Sequence, residues 1–578
     1  MEKIKYTFLV DDNDILLVGK KVGGGKMLKQ LGIFLENKKK LIYLMTMLFV
    51  FILLLVKCQY GFGDIDESFY LTTFYRLVQG DSLFGNEWHL SQMTAFIMYP
   101  IIKIYMKIVG QTDGMILNFR YIYLVIQLIT SIVIYSYIKK YSEAGAMFSS
   151  ILFMIYAPFG IMALSYNSLG IILFSLSLIW YLFENRKAFY FLSGIFYALA
   201  VLCCPFLAIY CLYVIGLCFF SKSKNNKNKT IYYFIGIFIT VIVFFTFVFS
   251  RVTISNFLRS LPCILNDPEH KTSYFNKLLS YFTCILFHNK YQFILYVLFV
   301  LIILKTKFWA SKNKTEGMML VLMISFIQLA LNVYIDRYIN YFMGSLHMLA
   351  IYCFIFEKDE RIRKLFYYIF IPGVIYSLCL HLSSNQRILA ISSASTVSMI
   401  AATTIIFIAL NNKEHRKNTL KVSLIIYLCM LICTVFAFRM FYNFWDGNIL
   451  QEKKMNELSI EKGILSSLYK ADEFAIYYDD LEYIPQNSKV LFLAEKTWLY
   501  LCNGYQNCSF SAWTSGINEA SISRLNEYYE INPNKIPEYI YIREDKKYLI
   551  EKLNIIDTFK LEVSTNNHGY IYKNEVTQ

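Results

Sequence analysis

Between residues 41 and 438 the chain alternates apolar runs of fifteen to twenty residues with short polar connections. An apolar run of that length can cross a hydrocarbon core, and within lipid only a helix or a closed barrel satisfies the backbone. The runs lie near 41–57, 119–138, 145–164, 168–183, 188–204, 206–220, 231–250, 291–308, 317–335, 339–356, 365–382, 390–410 and 420–438. They predict a polytopic α-helical membrane protein with about thirteen transmembrane helices. From about 440 the apolar blocks give way to mixed polar and charged sequence. SKVLFLAE (488–495), EYIYIRE (538–544) and FKLEV (559–563) have strand pattern, and NEASISRLNEYYE (518–530) and DKKYLIEKL (545–553) have helical pattern. The predicted division is a cytoplasmic leader over 1–40, a transmembrane domain over 41–439 and a small outer-face α/β domain over 440–578.

Charge sets the sidedness. Lys139-Lys140, Arg186-Lys187, SKSKNNKNK (221–229), KTKFWASKNK (305–314), EKDERIRK (357–364) and NNKEHRK (411–417) occupy alternate connections and predict a cytoplasmic side. Segments 58–118, 165–167, 251–290, 336–338, 383–389 and everything after 439 then face outward. The run 93–110 is apolar but carries Lys103, Lys107 and Pro100. Crossing the membrane there would reverse every later loop, so it is expected to lie along the outer surface with its lysines on the polar face. The net charge of +15 follows from these loops and is not a nucleic-acid signal; 57% hydrophobic and 17% charged residues exclude an ordinary soluble domain. Mean hydropathy is +0.44. The leader is long, Lys-rich and lacks a cleavage pattern, so it does not read as a signal peptide. This places the chain in the cell membrane, N-terminus cytoplasmic and C-terminal domain extracytoplasmic.

Candidate chemistry starts at GFGDIDESFYLTTFYRLVQGD (61–81), directly after the first apolar run. Asp64 and Glu67 have capping-box spacing for a helix ending near Gly80, which leaves Asp66 without a structural task. NEWHLSQ (86–92) adds Glu87 and His89 beside a Trp. Arg76, Arg120, Arg251 and Arg337 lie in or at the edges of outward segments, where arginine anchors to the interface or binds lipid phosphate. GKKVGGGKM (19–27) fails the phosphate-loop pattern, with Lys20 where glycine is required and Met27 where Ser or Thr would be. DDND (11–14) reads as a solvated turn. Without HExxH, GxSxG or a CxxC pair, hydrolase, redox and structural-zinc readings lack support. Cys502 and Cys508, in a polar segment, are either a disulfide or free thiols.

One span, an outer loop opening on Asp66-Glu67 before an aromatic helix with Tyr70, then Arg76, Gly80-Asp81, Glu87, the surface helix 93–110 and Arg120: this order resembles the GT-C superfamily of membrane glycosyltransferases. Within it, the protein mannosyltransferase and aminoarabinose transferase branch is the most similar. The resemblance covers about 41–210 and, beyond that, rests on topology and DRYINYFMG (336–344). It implies transfer of a sugar from a polyprenyl-phosphate donor to a glycan, lipid or protein acceptor at the outer face, with inversion. Membrane lipids are the other partners. Asp66 takes the family's acid position as base, with Glu67 beside it, and Glu87 helps place the acceptor or a metal. Arg76, Arg120, His89 and Arg337 are the candidates for the donor phosphate. Two positions depart from the family pattern. Asn167, in ALSYNSLG, stands where a second acid is expected, and Leu202-Cys203-Cys204-Pro205 replaces a segment carrying a Lys. Both weaken the case for a divalent metal, whose involvement stays open. A lipid-linked polysaccharide polymerase and a flippase of lipid-linked saccharide are the alternatives.

Overall fold

The computed structural model describes residues 6–11, 14–19, 25–220, 224–266, 273–288, 291–308, 314–335, 344–412, 418–443, 446–457, 459–513 and 517–576. Arg337, most of DRYINYFMG and residues 20–24 of the glycine-rich leader segment lie outside them. A hairpin of β1 (Tyr6–Asp11) and β2 (Asp14–Gly19) comes first, Asp11 pairing with Asp14; residues 12 and 13 of DDND lie outside the described residues. Then come α1 (Gly25–Lys57), α2 (Asp64–Val78), α3 (Thr94–Val109), α4 (Met115–Ile138), α5 (Glu143–Ile155), α6 (Tyr166–Phe183) and α7 (Lys187–Cys203). They are followed by α8 (Tyr210–Phe220), α9 (Lys224–Phe249), α10 (Ile254–Leu265), α11 (Tyr274–Phe287), α12 (Gln292–Phe308), α13 (Lys314–Ile335) and α14 (Gly344–Phe356). Next, α15 (Glu360–Leu365) and α16 (Ile371–Ser383) join through a π turn, before α17 (Ile388–Leu410) and α18 (Asn418–Phe441).

The chain is a membrane protein. Among the described residues eight helices are long and apolar enough to cross a bilayer, or nine if the bent pair α11 and α12 counts as one. The expectation was thirteen. The expected spans at 145–164, 188–204, 206–220 and 339–356 form the shorter apolar helices α5, α7, α8 and α14. For 145–164 the cause is local. Pro158 cannot continue a helix, Phe159 and Gly160 take left-handed φ of 57° and 77°, and α5 stops at Ile155. Residues 156–165 continue as largely buried, irregular chain. Within a membrane such backbone survives only where protein covers it or where it lines a cavity.

The central span, α17, is buried along its length. Most of its hydroxyls bond back along the same helix, as Ser395 does to Ile391 and Thr403 to Met399, while the buried Ser392 hydroxyl has no hydrogen-bond partner. α3 is a single helix at the expected place. Lys103 and Lys107 are exposed, but Ile104 and Ile108 share that face, so it is not purely polar.

The remaining chain forms two short pairs, β3 (Tyr442–Asn443) with β4 (Gly447–Asn448) and β5 (Lys453–Met455) with β6 (Leu465–Ser467), followed by α19 (Leu468–Asp480). Then come β7 (Lys489–Leu493), β8 (Gln506–Asn507), α20 (Glu519–Ile531), β9 (Tyr539–Arg543), β10 (Phe559–Ser564) and β11 (Gly569–Asn574). The five-stranded sheet runs β10-β11-β9-β7-β8, with β7 parallel to β8 and β9, and β11 antiparallel to β9 and β10. The three strands expected from pattern are there. DKKYLIEKL is 3₁₀ rather than α. Cys502 and Cys508 are both free and buried; Cys502 Sγ lies 3.3 Å from Ser459 Oγ, while Cys508 Sγ contacts the Gln506 carbonyl.

α7 and α9 approach backbone to backbone. A methyl at Gly194 would overlap the Tyr233 carbonyl, and one at Gly236 the Phe191 carbonyl. Overpacking costs about 1–3 kcal/mol where a neighbour can yield, and backbone yields less than a side chain. Gly194→Val is therefore expected to destabilise the purified protein by at least about 2 kcal/mol, read as a lower thermal midpoint in detergent. An unchanged midpoint would mean that the helices are not in this contact.

Candidate active site

The three acids of DIDE have three different fates. α2 begins one residue earlier than its capping-box spacing predicts. Its cap is Gly63, no side chain caps it, and Asp64 is the first helical residue with φ of 35°. Glu67 still reaches back, its Oε2 accepting the Gly63 N–H at 3.3 Å. Its main partner is Arg120, whose Nε and Nη2 each donate to the carboxylate at 2.6 Å. Arg120 spends its other hydrogens on the Cys58 and Gly61 carbonyls at 2.7 and 2.6 Å. Both side chains are buried.

Asp64 faces the C-terminal region instead. Its Oδ2 accepts from Lys470 at 2.7 Å and Lys496 at 2.6 Å, and Glu473 bridges the same two lysines. Glu461 is buried close by. Asn456 Nδ2 donates to its Oε2 at 2.7 Å, and Oε1 has no partner. Burial, together with the charges of Asp64 and Asp446, holds its pKa well above the usual carboxylate value.

Asp66 alone of the three stays partly exposed. One turn on lies Tyr70, whose ring meets Tyr166 edge-on at 5.7 Å. The charge of Asp66 reaches both phenols, and the Asn167 side chain approaches both hydroxyls. Burial first, then Tyr166 and Asp66, push Tyr70 well above its ordinary value, so it stays a protonated donor. Tyr166 and Asn167 open α6 directly after the irregular segment 156–165. The break in that expected span thus carries the ALSYNSLG loop to Asp66. On the other flank Phe69 packs against His89 at 4.8 Å and Trp513 at 5.2 Å. His89 Nδ1 lies 2.7 Å from Ser91 Oγ.

At the far end of α2 Arg76 is enclosed. Nε donates to Asp81 at 2.7 Å, Nη1 to Glu87 at 2.7 Å, and Nη2 to the carbonyls of Asn86 and Ser509 at 2.9 and 3.0 Å. Lys535 closes on the second oxygen of Asp81. Glu87 also accepts the His89 N–H at 3.0 Å; burial raises its pKa, against the pull of Arg76. Arg76 and Glu87 thus sit together as a buried pair, while Glu67 and Arg120 form a second pair at the start of α2.

Lys57 and Arg439 were not singled out in the sequence, although each ends an apolar run. Lys57 is buried and donates to the Tyr442 carbonyl at 3.1 Å and to Asn443 Oδ1. It lines a small cavity with Gly63, Glu67, Arg120 and Asn443. Arg439 is 2% exposed. Its Nη2 lies 3.5 Å from Gln127 Oε1, and its Nε and Nη1 have no hydrogen-bond partner. Among the described residues no three His, Cys, Asp or Glu side chains gather in a way that would hold a metal. The donor set beside Asp66 is one carboxylate, one amide and two phenols, which does not fit a divalent-cation site.

No family model and no curated protein matches the chain. Solved structures resemble it only in outline. The archaeal oligosaccharyltransferase AglB from Archaeoglobus fulgidus, in complex with an inhibitory peptide and a dolichol-phosphate, aligns with a TM-score of 0.46 at 11% identity. That alignment covers 93% of this chain and 74% of the other. The Archaeoglobus fulgidus oligosaccharyltransferase tethered to an acceptor peptide gives a TM-score of 0.42 at 11% identity over 93% and 74%. Its complex with Zn and sulfate gives 0.40 at 10% identity over 91% and 73%.

Two outcomes follow from these buried charges. Arg76→Met strands Glu87 in the interior and leaves Asp81 to Lys535 alone. It should cost about 3–5 kcal/mol, seen as a large drop in thermal midpoint, with Arg76→Lys falling between. The Glu461 proton supplies stability that is complete below the ordinary carboxylate pKa and is lost as pH rises toward the raised folded value. Glu461→Gln keeps the group neutral throughout. Its melting temperature should therefore gain on wild type as pH is raised from 5 to 8, and parallel pH profiles would show that Glu461 is ionised in the fold.

Proposed function

We propose that the protein is an inverting glycosyltransferase that moves a sugar from a polyprenyl-phosphate donor to a cell-envelope acceptor. The reaction takes place at the extracytoplasmic face, where α2 and residues 440–578 lie. The observation that carries this reading is the setting of Asp66: it is partly exposed, one turn before Tyr70, and its charge acts on the Tyr70 and Tyr166 phenols that the Asn167 side chain approaches.

An ordinary Asp is ionised at neutral pH, so Asp66 can accept or orient the proton of an attacking hydroxyl. The oxygen bonds to the anomeric carbon as the bond to the lipid phosphate breaks, inverting the configuration. Tyr70, Tyr166 and Asn167 supply hydrogen bonds that orient the sugar. Negative charge grows on the leaving phosphate and needs fixed positive charge nearby. Arg76 and Arg120 already spend their hydrogens on protein acceptors, so they act as positioning residues. Arg439, buried and with its Nε and Nη1 not hydrogen-bonded, supplies the positive charge, with His89 at the other flank. No step is assigned to a metal.

The test is an assay in membranes with radiolabelled polyprenyl-phosphate sugars. Asp66→Asn should lower transfer at least ~100-fold in protein that still purifies folded, whereas Glu67→Gln should lower the thermal midpoint by unpairing the buried Arg120. Equal transfer by wild type and Asp66→Asn would sink the assignment. Binding of longer lipid-linked glycans, with no transfer from any monosaccharide donor, would point to a polymerase or flippase instead.

A further inference from the structure

Arg251 and Lys103 stand apart from the machinery above. Arg251 comes two residues after the span Lys227–Phe249 ends. Its guanidinium lies 4.5 Å from the centre of the Tyr99 ring and 4.5 Å from that of Phe247. Its Nη1 donates to the Leu77 carbonyl at 3.0 Å. Lys103 extends from α3 one turn beyond Tyr99, with Nζ 5.4 Å from the centre of the same ring. The Tyr99 hydroxyl is within reach of both cations. Slight burial raises its pKa, but Lys103 and Arg251 together outweigh that and bring it below the ordinary value. Two positive groups thus converge on one phenol, and their contacts are rings and a carbonyl rather than a carboxylate.

The surroundings are apolar. Ile104 and Ile108 on α3 are 59% and 78% exposed, and Phe245 and Phe249 on α9 are 40% and 42% exposed. Exposed isoleucine and phenylalanine beside paired cations at the end of a span match the boundary between headgroups and acyl chains. The two rings hold the Arg251 guanidinium in place, and a guanidinium fork fits phosphate oxygens better than a single ammonium does. We propose that Arg251, Lys103 and Tyr99 bind the phosphate of an anionic membrane phospholipid, whose chains lie along α3 and α9. Through Leu77 the bound lipid steadies the end of α2 opposite Asp66. The site is independent of the transfer reaction.

The full chain in detergent is titrated with short-chain phosphatidylglycerol, with a neutral diacylglycerol of the same chain length and with inorganic phosphate, and adducts are counted by native mass spectrometry. Phosphatidylglycerol should bind saturably and the diacylglycerol should not. Each cation removed should weaken binding about five-fold, so Lys103→Gln and Arg251→Gln together should weaken it ~25-fold. Lys103 is exposed, so Lys103→Gln alone tests the site even if the double variant folds poorly. Unchanged phosphatidylglycerol retention in Lys103→Gln would overturn the proposal. So would equal binding of the diacylglycerol, which would make the patch a plain apolar surface. Displacement of phosphatidylglycerol by equimolar inorganic phosphate would overturn it in favour of a free-anion site.

Discussion

The two-pronged pair between Glu67 and Arg120 closes the turn between the first span and α2. Arg120 belongs to α4, so one buried side chain ties the end of α1 to the beginnings of α2 and α4. Removing either member would leave a buried charge unmatched, the costliest kind of loss in a protein interior. With Glu67 committed to Arg120, α2 is capped at Gly63 rather than at Asp64. That one-residue shift turns Asp64 toward Lys470 and Lys496 and leaves Asp66 on the partly exposed side.

The same logic applies at the other end of α2. Arg76, Asp81, Glu87 and Lys535 form a buried set that alternates in sign, and the Ser509 carbonyl completes it. The soluble-looking C-terminal region is therefore part of the wall around α2. Trp513 packs edge-on against Phe69 of α2, and the Thr497 hydroxyl donates to the Ile65 carbonyl in its first turn at 2.8 Å.

Much of this was legible in the sequence. The acidic stretch, the extent of the helix after it, the helix within 93–110 and the main strands follow from pattern alone. The separate fates of the acids do not, because spacing places Asp64 at a cap and cannot see lysines four hundred residues away. The break in the span expected at 145–164 had a signal, Ala157-Pro158-Phe159-Gly160, but hydropathy averages over it. Its consequence, the delivery of Asn167 to Asp66, is tertiary. Lys57 and Arg439 were also visible as charges at the ends of apolar runs. What they face is set by packing between α1, α4 and α18, which no local window contains.

The enclosure of Arg76 has a consequence for biogenesis. The Ser509 carbonyl it bonds lies 433 positions further along the chain. At ordinary translation speeds of about 5–20 residues per second, that interval lasts roughly 20–90 s. For most of it, Asp81, Glu87 and Arg120 are already made, while the lysines that pair with Asp64 and the Ser509 and Lys535 groups that enclose the far end are not. The nascent chain must keep that charged helix hydrated, or held by a chaperone, until synthesis has passed Lys535. The order of synthesis thus guards the candidate site: it closes only once nearly the whole chain exists.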